Sequence, residues 1–513
     1  MNEDPSEQSS TKVKLDRPIF WFALVTLLGF GGGLLVWREE SLVVLNKLLA
    51  FMTHELGAIF LWFAFLSTIW LCWLAFSGFG AQRLGAPDSR PDYTTMSWFG
   101  MLFCAGLGSN LLYFGTMEWM WYYLDPPPGV TARTADAAVW AGAYSFFHWG
   151  IAAWSIYALA TVPIAYVLHV RRSTVLRMSV ACRGILGDRV DGGLGKLIDV
   201  LFIFGLVGGV GTSLGVGVPM VSAVAADLFG VTPGFALDIA VLVGLTAVFS
   251  VSVSMGLDKG IKRLSDLNVV LAIVLMVFVF LAGPTAFIIN HATDSLGVML
   301  QNFLTMSLRT GAASGSSFSA DYTVFYWAWW IAWAPFMGLF VARISGGRTL
   351  KSVILGTVLG GSLGCWAGFA ILGNTALNLM LTGHQPMVDL MAVDTATAVE
   401  GPLAVVTLLR SLPISGLVSA VFFVLSFIFV ATSLDSAAFT LAATASRDLP
   451  HDGQPARWHR LLWAFVLGGI ALALMSVGGI KVLQAASVVA GLPVLIVMVL
   501  AAVSLMRWLH EDR

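Results

Sequence analysis

The run Phe325 to Trp333, FYWAWWIAW, concentrates aromatic side chains inside an apolar stretch. Trp329 and Trp333 stand four residues apart and share a helix face; Phe325 extends that face by one turn, and Trp330 adjoins it. A stack of ring faces presents a negative quadrupole surface. It attracts a cation that has no hydrogens to donate, at up to about 2 kcal/mol per ring when water is excluded. A quaternary ammonium is such a cation, whereas a primary amine would call for carboxylates. Tryptophan in membrane proteins commonly anchors at the interface, but these residues lie in the upstream half of a span rather than at its edge. A second group, Trp149, Trp154 and Tyr157, follows the segment YSFFHW. On one continuous helix Trp154 and Tyr157 share a face and Trp149 points elsewhere. Each of these rings alone fits ordinary helix packing. A shared site requires the two segments to meet, which spacing does not establish.

Ionisable and hydroxyl groups inside apolar spans are the other candidates. Glu118 is either functional or solvated near the outer surface. Asp435, in ATSLDS, reads as a structural hydrogen-bond acceptor, and His148 as a satisfied core histidine. Thr432 and Ser433 are adjacent hydroxyls whose oxygens suit a hard cation such as Na⁺. The competing reading is back-bonding to their own helix.

The elements that must position these groups are membrane helices. The chain has 513 residues, 58% hydrophobic and only 11% charged, against roughly a quarter charged in a soluble domain. A spanning helix needs about twenty apolar residues. Twelve such segments are expected, at 18–37, 55–77, 95–123, 138–169, 194–228, 236–256, 266–290, 323–342, 350–378, 401–441, 458–479 and 482–507, with a short external helix possible at the start of 401–441. Alternate loops hold 22 of the 28 Lys and Arg residues, among them Arg171, Arg172, Arg177, Arg343 and Arg348. That bias predicts an even number of spans with both termini in the cytoplasm, in a cell (inner) membrane. Residues 1–16 read as a disordered tail, 17–507 as the transmembrane domain and 508–513 as a short cytoplasmic tail. Residues 294–308 have helical apolar spacing and read as an amphipathic helix at the outer interface. Cys72, Cys104, Cys182 and Cys365 are far apart, with no disulfide framework or metal-site spacing.

Two spans are unusual. The third carries Gly106, Gly108, Ser109 and Asn110 at mid-depth; the eighth carries four Trp and Pro335. They lie five spans apart, which gives opposite orientations. Paired interrupted helices in two inverted halves point to a carrier's binding site. The plainer alternative is that small residues only allow close packing.

At this point the chain resembles the betaine/carnitine/choline transporter family, from about Pro18 to Leu505. The segment from Tyr322 to Thr349, YTVFYWAWWIAWAPFMGLFVARISGGRT, is similar to the family signature, with Tyr322 where the family usually has Trp. RLGAPDSRPDYTTMSWF, FHWGIAAWSIYAL, MGLDKGIKRLSDLN and ATSLDSAAFTLA also match. The resemblance implies an all-α integral membrane protein with a LeuT-like fold. Two inverted five-helix repeats, about 95–290 and 323–507, would follow two extra helices, and the chain would assemble as a homotrimer. It implies an aromatic box of Trp149, Trp154, Tyr157, Trp329, Trp330 and Trp333. It also implies a sodium site of Phe429, Thr432 and Ser433 with backbone at Cys104 and Leu107.

Two departures bear on coupling. The family's GMGIG appears as GLGSN, and Met337 falls where sodium-independent carnitine exchangers place a methionine near the substrate carboxylate. Those exchangers carry an arginine where this chain has Asn268. The expected function is therefore secondary transport of an onium compound such as glycine betaine, carnitine or choline by Na⁺ symport. Sodium-independent exchange is the alternative, and an onium-gated channel a remote one. The loop GAQRLGAPDSR has its Asp and Arg in the wrong order for a major-facilitator loop, and the eight His are scattered rather than clustered for catalysis. No enzyme activity, organic cofactor or nucleic-acid partner is expected.

Overall fold

The computed structural model describes residues 14–512, apart from 106, 107, 174, 176, 256, 257, 448, 450–452 and 478. Apart from a two-stranded ribbon, the fold is helical. It begins with strand β1 (Lys14–Leu15), α1 (Arg17–Val36), α2 (Arg38–Ala50) and α3 (Gly57–Phe76). Next come α4 (Thr95–Ala105), α5 (Ser109–Leu124), α6 (Ala135–Trp149), α7 (Ile151–His169), the short α8 (Met178–Ala181) and α9 (Arg183–Leu186), and α10 (Gly193–Phe229). Then follow α11 (Phe235–Met255), α12 (Asp258–Ala282), α13 (Thr285–Leu308), α14 (Val324–Arg343), α15 (Leu350–Gly368) and α16 (Asn374–Leu381). The chain closes with α17 (Gln385–Leu390), α18 (Gly401–Ser411), α19 (Ser415–Thr444), strand β2 (Ser446–Arg447), α20 (Arg457–Val477) and α21 (Gly479–Glu511).

Among the described residues nine helices are long and apolar enough to cross a membrane, or eleven if each of two bent pairs is one span. Twelve were expected. The sixth expected span is the helix α11, 21 residues from Phe235 to Met255. Lipid-facing composition is plain on α1 and α3, where Trp21, Val25, Trp62 and Leu66 are half or more exposed. By contrast, α7 is buried on every side from Ala152 to Val167, as a helix at the centre of a bundle must be. It packs along α14, which also meets α21 and α10. Close approach relies on small residues: a Cβ on Gly338 of α14 would stand 3.0 Å from the backbone of Ala160 on α7.

Several boundaries differ from expectation, each for a local reason. The span at 138–169 is two helices, α6 and α7, divided at Gly150. The eighth span is not interrupted: α14 runs unbroken past Pro335, because neighbouring helices enclose it. The third span does divide, with α4 and α5 inclined by 54°. The amphipathic helix starts earlier, at Thr285, after a 103° turn from α12. Residues 38–50 form α2, with Leu45 buried.

The ends are also more ordered than a charge count suggests. The expected disordered tail of 1–16 is contradicted at its last three residues, the earlier ones lying outside the description. β1 pairs with β2 through Lys14 opposite Arg447, and the Asp16 N–H donates to the Ala445 carbonyl at 2.9 Å. Arg177 then meets Asp16 at 3.2 Å and Asp199 at 3.7 Å. At the other end the expected tail 508–513 continues α21 to Glu511, with Trp508 and Leu509 buried. Tyr166 donates to Asp512 at 2.5 Å, and Arg171 meets Asp512 at 2.9 Å. Both described ends therefore lie on one face, beside Arg171 and Arg177.

Candidate functional site

The break at Gly150 builds the site. A Cβ there would stand 2.6 Å from the Trp366 indole nitrogen and would collide with the Phe146 carbonyl. That indole nitrogen itself donates to the Phe146 carbonyl at 2.8 Å. Only glycine fits, and its backbone (φ −105°, ψ −139°) interrupts the helical ladder locally between α6 and α7, within the single span Ala135–His169. Trp149 lies just before this interruption, and Trp154 and Tyr157 lie just after it. All three meet Trp330 of α14. Tyr157 lies 4.7 Å from it (58° between planes), Trp149 5.3 Å (82°) and Trp154 6.1 Å (56°). Trp154 reaches its place because Gly361 on α15 has no side chain where the indole lies.

These rings line a central cavity of about 170 Å³. Trp149, Trp154, Tyr157, Trp329, Trp330, Trp333 and Met337 all face it, as do Ala105, Gly108, Asn110, Leu111, Phe336, Cys365 and Ser433. No Lys, Arg, Asp or Glu is among these lining residues. Phe325 is the exception among the expected ring residues. It stacks on Trp329 at 5.7 Å and 12° but faces a separate cavity nearer the surface opposite the basic face. One turn of helix carries it past the edge of the central cavity. Trp329 is fixed by donating to the Gly209 carbonyl at 3.2 Å.

Polar atoms at the cavity are not all engaged. Asn110 donates through Nδ2 to Ser213 Oγ at 3.0 Å, while its Oδ1 is buried without a partner among the described residues. The indole nitrogens of Trp330 and Trp333 are likewise buried and unpartnered there. Buried polar groups are normally satisfied, so these are places where a bound molecule could complete a hydrogen bond.

The expected ion ligands are only partly brought into view. Ser433 lines the cavity. The Thr432 hydroxyl donates to its own helix, at 2.9 Å to Ile428 and 3.1 Å to Phe429. That is the back-bonded arrangement, and it leaves the oxygen's lone pairs able to accept. Cys104 is half-buried near the end of α4, and Leu107 lies outside the described residues. Asp435 meets Arg460 at 2.9 Å, in keeping with a structural acceptor.

Glu118 is not solvated: its side chain is fully buried. Its Oε1 accepts from Tyr122 at 2.7 Å; its Oε2 accepts from Tyr326 at 2.6 Å and from the Trp149 indole at 2.8 Å. His148 is a satisfied core histidine, bonded to Tyr122 at 2.8 Å and Thr323 at 3.0 Å. Asn110, Phe114, Glu118 and Tyr122 recur every four residues along α5, so one stripe carries the cavity, its packing and this carboxylate. That period was available in the sequence. Phe336, three residues past Trp333 on α14, was also legible by spacing. It borders both the central cavity and a further cavity toward the basic face that holds Arg343, Asp435 and Arg460.

The profile described as BCCT, betaine/carnitine/choline family transporter, matches residues 18–513. The chain is similar to a carnitine transporter of Acinetobacter baumannii, 31% identical over 507 residues covering 99% of this chain and 91% of the relative. It is similar to a glycine betaine transporter of Bacillus subtilis, 36% identical over 466 residues covering 90% and 88%. An ectoine/hydroxyectoine transporter of Virgibacillus pantothenticus is 33% identical over 505 residues, 98% of each chain.

Proposed function

The chain belongs to the betaine/carnitine/choline family of transporters, and from that premise we propose that it carries a quaternary-ammonium or related onium compound, held by the rings around Trp330. The observation that carries this reading is the convergence of Trp149, Trp154 and Tyr157 on Trp330 around a cavity lined by no charged side chain. Ring faces can hold a permanent cation there without a hydrogen bond. The tail of such a substrate meets different chemistry: Asn110, Ser433, the Trp333 indole and the Met337 sulfur. These suit a carboxylate or hydroxyl end, as in glycine betaine, carnitine or choline. The relatives named for carnitine, glycine betaine and ectoine support the class and leave the member open.

The test is Trp330→Ala in purified protein. We expect loss of binding and uptake of a trimethylammonium compound, with the folded state retained. Unchanged affinity would remove the ring cage from the reading.

For coupling, we propose Na⁺ symport through Thr432 and Ser433, with carbonyls at Cys104, Leu107 and Phe429. Asn268 supports it: the residue is buried with neither amide atom partnered among the described residues, so no fixed charge stands where the exchangers carry arginine. Met337 at the cavity is the observation that favours exchange instead. Proteoliposome uptake separates the two. Symport requires a sodium gradient, whereas exchange runs equally in Na⁺ and K⁺ and is driven by preloaded counter-substrate. The Lys and Arg bias assigns the basic face, with both ends, to the cytoplasm of a cell inner membrane, and a homotrimer is the assembly the family implies.

A further inference from the structure

Glu118 is the one feature of this region that the ring cage alone does not explain. It sits outside the central cavity, behind Trp149, and is wholly buried. Its donors come from three elements: Tyr122 from α5, Trp149 from α6 and Tyr326 from α14. Two of them converge on a single oxygen, Oε2, which suits a carboxylate acceptor. Its nearest basic group among the described residues is His148 Nδ1, at 3.9 Å, and that nitrogen already meets Tyr122. Phe114, one turn back on α5, is buried and packs on Trp149 at 5.7 Å and Trp329 at 5.4 Å. In its ionised form a carboxylate so placed has no fixed counter-charge among the described residues. A permanent cation over the face of the Trp149 ring would supply one and favour the ionised form, and in a low-dielectric setting that attraction is weakly screened. The hydrogen bond adds to it. An N–H donated to an anion shifts electron density into the indole and strengthens the ring face that a cation meets.

We propose that Glu118 is the positioning residue that fixes Trp149 against Trp330 and charges the cage, so that the site selects a cation over an uncharged molecule of the same shape. This rests on the onium reading given above. It assigns cation selectivity to a residue that does not touch the substrate.

The test uses the purified full-length protein and tryptophan fluorescence, titrated with choline and with its uncharged isostere 3,3-dimethylbutan-1-ol. Glu118→Gln is expected to lower the choline affinity by about tenfold or more while leaving the alcohol within about twofold. Tyr326→Phe removes a donor to the Glu118 carboxylate while leaving every ring of the cavity lining unchanged, and should move the same ratio in the same direction. It decides the matter if Glu118→Gln does not fold. Equal weakening of both ligands in the variants would show a purely structural role and overturn the proposal while leaving the onium reading intact. A wild-type protein that does not prefer choline to the alcohol would overturn the onium reading itself, and this proposal with it.

Discussion

Gly150→Ala puts one methyl group where the fold has no room, and its consequence can be worked out. The new Cβ would stand 2.6 Å from the Trp366 indole nitrogen. Ordinary contact begins at about 3.5 Å, so the indole must withdraw by roughly 1 Å. Its hydrogen bond to the Phe146 carbonyl, 2.8 Å in the wild type, is then stretched or lost, at about 1 kcal/mol. Overpacking in a closed interior adds about 1–3 kcal/mol. Relieving this cost by a local backbone shift at Gly150 would move the adjacent Trp149 relative to Trp330. Two effects should therefore appear together in purified protein: a lower Tm, and trimethylammonium affinity weakened by about tenfold or more. Gly244→Ala on α11 is the control, because its Cβ would meet nothing within 4 Å. Calorimetric or fluorescence melting gives the first effect, and tryptophan fluorescence titration gives the second. If Gly150→Ala matches the Gly244→Ala control in both, the break at Gly150 does not build the site, and the argument from it is refuted.

Further expectations follow from the same contacts. Gly361→Ala would collide with the Trp154 ring and should weaken onium binding by about tenfold, read by the same titration. Asp125 lies in the cavity opposite the basic face; burial, with Asp321 nearby, raises its carboxyl above the usual range against the opposing hydrogen bond from Tyr322. Its charged form thus costs stability above the raised value, and that cost disappears as pH falls below the ordinary carboxylate range. Asp125→Asn should be the more stable protein at neutral pH and lose the advantage in acid, as melting across pH would record. Asp16→Ala removes one partner of Arg177 and should cost roughly 1–3 kcal/mol, seen as a lower Tm and faster proteolysis near β2. Burial pushes the Cys182 thiol up to about 12, so it should resist maleimide at neutral pH in the folded protein and react once the protein is denatured.

Much of this was written in the amino-acid order. A run of apolar segments with Lys and Arg in alternate loops determines a multi-span helical protein, because the bilayer leaves few other ways to satisfy backbone polar groups. A four-residue step determines that Trp329 and Trp333 share a face, since helix geometry is local. The match of FYWAWWIAWAP and its flanks determines the family. What the order of residues left open was set by distant contacts. Trp149 reads as pointing away from Tyr157, yet both meet Trp330 of α14, and the close fit at Gly150 involves Trp366, more than two hundred residues along the chain. Phe325 reads as part of the cage, yet its position one turn along α14 places it in another cavity. Glu118 reads equally as solvated or functional, because one sequence cannot say whether Tyr326 and Trp149 will arrive to enclose it. Periodicity fixes which side chains share a face; only the packing of helices from remote parts of the chain decides what that face meets.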